Sequence, residues 1–239
     1  MSFTGKVDIH DLLLTKVAPG AGVVIATLLF GSPLFGVLQM RKDGVLGSTN
    51  PLPFPLIFGN CCAWVAYAYV KHDIFVFLAN DFGIIFGLFF TLSAYGVSNP
   101  ATRNFLAVIS LGLAFVISGA GAVTVFGGLD PDQKPQLWGL LANLILLIFY
   151  AAPLSTVAEV FRTRSSASLY WPLSLMNVIN GALWVTYGYA TKDYLILTPN
   201  AAGFVLGLGQ LMLCLTFPRD SRAKRESRSE DIEQPLINE

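Results

Sequence analysis

The chain has 239 residues, of which 54% are hydrophobic and only 13% are charged, with 15 basic and 15 acidic side chains. A soluble domain carries about 25% charged residues, so this composition excludes an ordinary water-soluble protein, which needs more polar groups to cover its surface. The apolar excess also excludes intrinsic disorder, and the net charge of zero without a basic stripe excludes a nucleic-acid-binding surface. We therefore expect a membrane protein.

Seven apolar runs are long enough to cross a bilayer. A helix that rises about 1.5 Å per residue needs about 20 apolar residues to cross a hydrocarbon core about 30 Å thick. These runs are apolar on all sides, which indicates helices rather than barrel strands of alternating polarity. In chain order the predicted spans are 17–40, 51–70, 74–97, 104–129, 136–161, 171–190 and 194–218. The predicted fold is an all-α integral membrane protein.

The segments outside the spans predict the orientation. Residues 1–16 lack the pattern of a cleavable signal peptide, and the mixed charges of residues 219–239 are typical of a solvated, disordered tail. Ten basic residues, five of them in the tail, fall on one side of the seven spans and five on the other. Because basic loops stay in the cytoplasm, we expect the N-terminus outside and the C-terminus in the cytoplasm.

The sequence contains an internal duplication with an offset of 120 residues. The matched positions include Pro33 and Pro153, Asn60 and Asn180, Trp64 and Trp184, Tyr67 and Tyr187, Asp73 and Asp193, and Asn80 and Asn200. The duplicated unit holds three spans, residues 17–97 and 136–218, and the fourth span lies in the connector 98–135. With this extra crossing the halves are parallel repeats, which predicts a ligand site between them at mid-depth.

Two prolines in each half suggest hinges. Pro33 and Pro153 lie inside the first span of their halves, and Pro53 and Pro172 lie near the start of the second. A proline within a helix removes a hydrogen bond and bends the chain. A static kink is the alternative, but the paired placement favours hinges.

Each half also pairs a tryptophan with an asparagine near the middle of a helix, Trp64 with Asn80 and Trp184 with Asn200. An indole can stack on the C–H face of a sugar, and an amide both donates to and accepts from hydroxyls. The alternative is an interfacial tryptophan and an interhelical hydrogen bond. The duplication favours a binding site for a neutral polyol.

An outer gate is suggested by Tyr67 and Tyr187, which precede Asp73 and Asp193 in matching loops. Hydrogen bonds between them are one interpretation, and solvated loop charges with interfacial tyrosines are an equal one. Asp81 is an acid inside a span, where acids are functional by default, so a proton-linked role must be considered. Its counterpart is Ala201, so the duplication favours a structural role.

These residues together resemble the SWEET family of sugar transporters over residues 22–217. The motifs that carry the resemblance are SPLF at 32–35, APLS at 152–155, LWVTYG at 183–188, KDYLILTPN at 192–200, and the first-half segments WVAYA at 64–68 and FVFLAN at 75–80. The resemblance implies two triple-helix bundles joined by an inverting fourth helix, in a 3+1+3 arrangement. It also implies passive, bidirectional movement of sugars by alternating access, and self-association, often as trimers.

The resemblance also assigns roles to individual residues. It implies substrate binding by Asn80, Asn200, Trp64 and Trp184, hinges at Pro33, Pro53, Pro153 and Pro172, and an outer gate of Tyr67, Tyr187 and Asp193. Trp64 stands where many plant members have a smaller residue. Because two indoles leave less room, we expect a glucose-type hexose rather than sucrose.

Other classes are less consistent with the sequence. Proton-coupled amino-acid exporters of the related PQ-loop group have Pro-Gln where this chain has Pro33-Leu34 and Pro153-Leu154. A seven-helix receptor does not predict the repeat, and no span pairs a nucleophile with a base as an enzyme needs. We expect a sugar substrate and a lipid environment, with no cofactor, no metal and no nucleic acid. The plasma membrane is the expected location, with a vacuolar or other endomembrane as the alternative.

Overall fold

The computed structural model describes residues 9–219, and every regular element in that range is helical. The elements are α1 (Ile9–Leu12), a π-helical turn (Leu13–Val17), α2 (Ala18–Gly31), α3 (Leu34–Asp43), α4 (Pro53–Lys71), α5 (Ile74–Val97), α6 (Pro100–Phe126), α7 (Gln133–Phe149), α8 (Ala151–Thr163), α9 (Trp171–Ala190) and α10 (Tyr194–Thr216). The first half of the predicted N-terminal segment, residues 1–8, lies outside the described residues. So does the predicted tail from residue 220 onward.

The helices follow the seven predicted spans. The first span is interrupted at Ser32 and Pro33, between α2 and α3, and the fifth at Tyr150, between α7 and α8. Six helical stretches in residues 9–219 are long and apolar enough to cross a membrane. The predicted span that falls outside this set is α9, which has 20 residues and carries several polar ones, among them Ser174, Asn177 and Asn180.

Aspartates begin the third helix of each half. Asp73 Oδ1 accepts hydrogen bonds from the backbone N–H groups of Phe75 and Val76 at 3.0 and 3.1 Å, which caps α5. Asp193 Oδ1 caps α10 in the same way, with distances of 3.2 and 3.3 Å. Such caps stabilise a helix start because its first N–H groups have no partner within the helix. Each cap lies in a tight reversal that makes α4 antiparallel to α5 and α9 antiparallel to α10.

The two halves meet through matching helices. Within the first half α5 packs on α2 and α4, and within the second α10 packs on α9 and α7. Between the halves, α2 packs on α9 and α4 packs on α7. A buried cluster that contains Trp64, Tyr67, Trp184 and Tyr187 lies at this junction. We call the end of the bundle with Asp73 and Asp193 the aspartate end, and the opposite end, with Arg41 and Arg164, the arginine end.

Glycines allow the third helix of each half to approach the second. A Cβ at Gly87 in α5 would lie 2.6 Å from the backbone nitrogen of Phe58 in α4. A Cβ at Gly207, the matching position in α10, would lie 2.9 Å from the Val178 side chain in α9. Small residues at such crossings are typical of packed membrane helices. This close packing positions the asparagines of α5 and α10 against the space between the halves.

Candidate functional site

A cavity of about 420 Å³ lies between the halves. Four matched pairs contribute to its lining: Pro33 and Pro153, Asn60 and Asn180, Trp64 and Trp184, and Asn80 and Asn200. The structure thus brings together all four of the predicted substrate-binding residues, although they are up to 136 positions apart in the sequence. The volume falls within the range of small-molecule sites, about 300–1,000 Å³.

The two central asparagines have the same geometry. Asn80 Nδ2 donates to the carbonyl of Val76 at 2.9 Å, and Asn200 Nδ2 donates to the carbonyl of Ile196 at 2.8 Å. These bonds to the preceding helical turn fix the amide planes. Each amide keeps one N–H and its carbonyl oxygen for a ligand, so each can donate to one hydroxyl and accept from another.

The two tryptophans are buried and held by edge contacts. The rings of Trp64 and Tyr67 are 5.3 Å apart at 78°, and those of Trp184 and Tyr187 are 5.9 Å apart at 77°. The Trp184 indole also donates to Asn180 Oδ1 at 3.2 Å. Edge-to-face contacts of this kind favour one ring orientation, so the indoles are rigid walls of the cavity.

Crossed hydrogen bonds close the cavity at the aspartate end. The Tyr67 hydroxyl donates to Asp193 Oδ2, and the Tyr187 hydroxyl donates to Asp73 Oδ2 at 2.8 Å. Each carboxylate therefore caps its own helix with one oxygen and binds the tyrosine of the opposite half with the other. The structure brings the residues of the predicted gate, Tyr67, Tyr187 and Asp193, together, and Asp73 joins them. The sequence could have indicated this role for Asp73, because the 120-residue offset aligns Asp73 with Asp193.

One ionic contact of this gate has no counterpart. Lys71 Nζ lies 3.2 Å from Asp193 Oδ2, whose side chain is only 5% exposed. The position that matches Lys71 in the second half is Thr191. Asp193 therefore holds two partners from the first half, whereas among residues 9–219 the only side chain of the second half bonded to Asp73 is Tyr187.

The four predicted hinge prolines fall into two types. Pro33 lies at the break between α2 and α3, and Pro153 is the third residue of α8, just after the break at Tyr150. Pro53 is the first residue of α4, and Pro172 is the second residue of α9. At these positions the missing N–H of a proline removes no helical hydrogen bond. Only the first type interrupts a spanning helix.

Sequence reasoning missed a further proline in the site. Pro199 lies inside α10 and lines the cavity, and its missing N–H leaves the carbonyl of Leu195 without its helical donor. Asn143 Nδ2 in α7 donates to that carbonyl at 3.2 Å, and the Tyr150 hydroxyl donates to the carbonyl of Pro199 at 2.8 Å. The signal was present in the motif at 192–200, which contains this proline.

Asp81 lies on the outer side of α5. It is half-buried and shares its helix face with Leu78, Ile85 and Leu88, which are all exposed. The cavity lining includes its neighbour Asn80 but not Asp81. The geometry therefore separates the predicted proton-linked residue from the candidate binding site.

The lining is mainly apolar, with a minority of polar side chains and no full charge. It contains six side-chain amides, namely those of Asn60, Asn80, Asn177, Asn180, Asn200 and Gln210. None of the lining residues is Asp, Glu, Lys, Arg or His. Within residues 9–219, no group of three or more His, Cys, Asp or Glu is placed to hold a metal ion. Such a surface suits a neutral molecule with several hydroxyls.

The duplicated helices and this cavity define a transporter, and comparison with a family model identifies which one. The model of sugar efflux transporters for intercellular exchange matches the chain twice, at residues 18–102 and 136–222. The chain belongs to this family, the SWEET transporters, and is a multi-pass membrane protein rather than an enzyme. The two matched segments fall on the two predicted halves of the chain.

Named relatives cover most of the chain. The bidirectional sugar transporter SWEET2a of Sorghum bicolor is 28% identical over 91% of this chain and 87% of its own length. The bidirectional sugar transporter N3 of Medicago truncatula is 28% identical over 90% of this chain and 81% of its own length. The human sugar transporter SWEET1 is 26% identical over 87% of this chain and 93% of its own length.

A solved structure has the same fold. The structure of a eukaryotic SWEET transporter superposes with a TM-score of 0.79, covering 86% of this chain and 97% of the other. The two chains are 24% identical. This likeness confirms the all-helical fold that the sequence predicts.

Proposed function

We propose that the protein is a facilitative, bidirectional sugar carrier that moves a glucose-type hexose by alternating access. The observation that carries the proposal is the uncharged lining of the cavity, with its amides and two indoles. An amino acid carries a full positive and a full negative charge, and burying these without charged partners is unfavourable. The lining therefore supports a sugar over the amino-acid substrate of the PQ-loop alternative.

The pair of tryptophans supports a single sugar ring at the central position. Trp64 and Trp184 are 8% and 6% exposed, and each is fixed by its tyrosine. Two rigid indoles from opposite halves leave a slot in which one ring stacks, while Asn80 and Asn200 bind its hydroxyls. The hexose preference rests on this restriction of width.

The gate supports alternating access with this conformation open to one side. The aspartate end is closed by the crossed tyrosine–aspartate bonds, whereas the cavity extends toward the arginine end as far as Pro53, Leu173 and Gln210. Substrate transfer requires these bonds to break while the arginine end closes. The helix breaks at Pro33 and Pro153 are the proposed hinges for that exchange.

The distribution of basic residues supports the orientation. Arg41, Arg103 and Arg164 lie at the arginine end, which the positive-inside rule assigns to the cytoplasm. The conformation is then the inward-facing state, with the gate on the outer side. Plasma-membrane location and self-association stay predictions.

Counterflow in liposomes tests the proposal. We expect saturable exchange of labelled glucose, strongly reduced by Asn200→Ala and unaffected by a proton ionophore. No flux, or flux that collapses with the ionophore, would contradict a facilitative sugar carrier. Competition by unlabelled sucrose measures the predicted preference, since sucrose is expected to compete more weakly than glucose.

A further inference from the structure

The two halves differ in polarity at the arginine end of the cavity. The second half has Ser174, Asn177 and Gln210, with Asn177 and Gln210 in the cavity lining. The matching first-half positions are Phe54, Ile57 and Phe90. The rings of Phe54 and Phe90 pack at 5.5 Å. The central asparagines are matched, so this polar set on one half is an addition beyond the shared site.

The polar set is arranged to offer hydrogen bonds to the cavity. Ser174 Oγ donates to Gln210 Oε1 at 3.2 Å, and the two residues are 3% and 8% exposed. This bond fixes the Gln210 amide and leaves both of its N–H donors for a ligand. Within the described part of the chain, no hydrogen bond occupies the Asn177 side chain. The buried amide of Gln210 and the half-buried amide of Asn177, both with unused donors, favour a ligand that supplies acceptors.

Gln210, the far end of this polar set, is too far along α10 from Asn200 to bind the same sugar ring. Gln210 follows Asn200 by ten residues on α10, a rise of about 15 Å. Oxygens at opposite ends of a pyranose ring are about 5–6 Å apart, given bonds of about 1.5 Å. With a hydrogen bond of about 3 Å at each end, one ring spans about 12 Å, which is less than that rise. A second ring linked to the first spans the remaining distance between Asn200 and Gln210.

We infer that Asn177 and Gln210, with Gln210 oriented by Ser174, form a second hydroxyl-binding subsite for an additional sugar ring at the arginine end. The inference rests on the proposed sugar-carrier function and deepens it. A glucose disaccharide occupies both subsites of this conformation. Because the tryptophan slot admits one ring, the disaccharide inhibits hexose exchange from the side that the arginine end faces.

Maltose inhibition of glucose counterflow tests the subsite. In the wild type, maltose inhibits when it is supplied on the side to which the arginine end opens. Loss of a neutral hydrogen bond weakens binding about three- to tenfold. The measured quantity is the ratio of the maltose inhibition constant to the half-saturating glucose concentration. Gln210→Met and Asn177→Leu each raise this ratio by that factor. Ser174→Ala shifts the same ratio by a smaller factor, about two- to threefold.

The control is Gln39→Met, which removes an exposed amide of α3 outside the cavity. It is expected to leave the maltose-to-glucose ratio unchanged. The inference is overturned if maltose does not bind, or if the variants shift both sugars equally. Absence of glucose counterflow in the wild type contradicts the proposed function instead. In that case the rise in unfolding temperature with maltose, compared between wild type and Gln210→Met, still decides the subsite.

Discussion

The two ends of the cavity differ in how closely the halves match. At the aspartate end and the centre, the tyrosine–aspartate bonds, the asparagine bonds and the tryptophan–tyrosine edge contacts occur in both halves. The Lys71–Asp193 ion pair and the Trp184–Asn180 hydrogen bond are the exceptions. At the arginine end, a phenylalanine pair in one half occupies the positions that a hydrogen-bonded polar pair occupies in the other. Matching contacts suit elements that must close and open together. We expect the selectivity of this chain between ligands to depend on the unmatched residues at the arginine end.

The largest effect is expected from the matched central asparagines. Because Asn80 and Asn200 have equivalent geometry, Asn80→Ala and Asn200→Ala should reduce glucose counterflow to a similar extent. Each change removes two hydrogen bonds to the sugar, which corresponds to about a 10- to 100-fold loss of affinity. Half-saturating glucose concentrations in both variants measure this. A large loss in one variant only would show that the sugar binds one half.

The matched gate is expected to give the next effect. Asp73→Ala and Asp193→Ala each remove a helix cap and a hydrogen bond to tyrosine, which together stabilise the protein by about 1–3 kcal/mol. Asp193→Ala should be the more destabilising, since it also leaves Lys71 without its partner. Thermal unfolding of the purified variants measures the order. Asp193→Asn is the control, because asparagine keeps the cap. Equal unfolding temperatures for the two alanine variants would contradict the asymmetry.

Much of this arrangement was predictable from the sequence, and for a definite reason. The apolar runs predict the helices, since backbone groups in lipid must bond internally. The 120-residue offset placed Trp64, Trp184, Asn80 and Asn200 together because matched positions in a repeat lie on matched faces. The same signal cannot identify Asn177, which has no matching partner.

Other features depend on distances that no local pattern contains. The carbonyl of Leu195, which has no helical donor because of Pro199, accepts a hydrogen bond from Asn143, 52 residues away in the chain. Pro53 and Pro172 were predicted to be hinges like Pro33. They differ from Pro33 because they stand in the first turn of α4 and α9, whereas Pro33 stands at a break within a span. The position of Asp81 outside the cavity follows from the packing of α5, whereas its place beside Asn80 in the sequence suggested a position in the site.

A smaller effect is expected from the unmatched ionic contact of the gate. Lys71→Thr introduces the residue that stands at the matching position, Thr191. Ion pairs with an exposed partner contribute about 0–1 kcal/mol, so opening of the gate should rise by up to about fivefold. Labelling of a single cysteine introduced at the aspartate end measures this opening. The increase should diminish at high salt, which screens the wild-type contact. Labelling unchanged at low salt would indicate that the two tyrosines alone hold the gate.

The smallest effect is expected from Asp81, which lies outside the matched site altogether. Asp81→Asn keeps the shape of the side chain and removes its ability to take up a proton. Because Asp81 shares its face with exposed apolar residues and does not line the cavity, the variant should retain wild-type glucose counterflow. Counterflow measured from pH 5 to pH 8, with and without an ionophore, should be the same for both proteins. A pH-dependent flux that Asp81→Asn abolishes would instead link a proton to transport, and would require α5 to rotate this face toward the sugar.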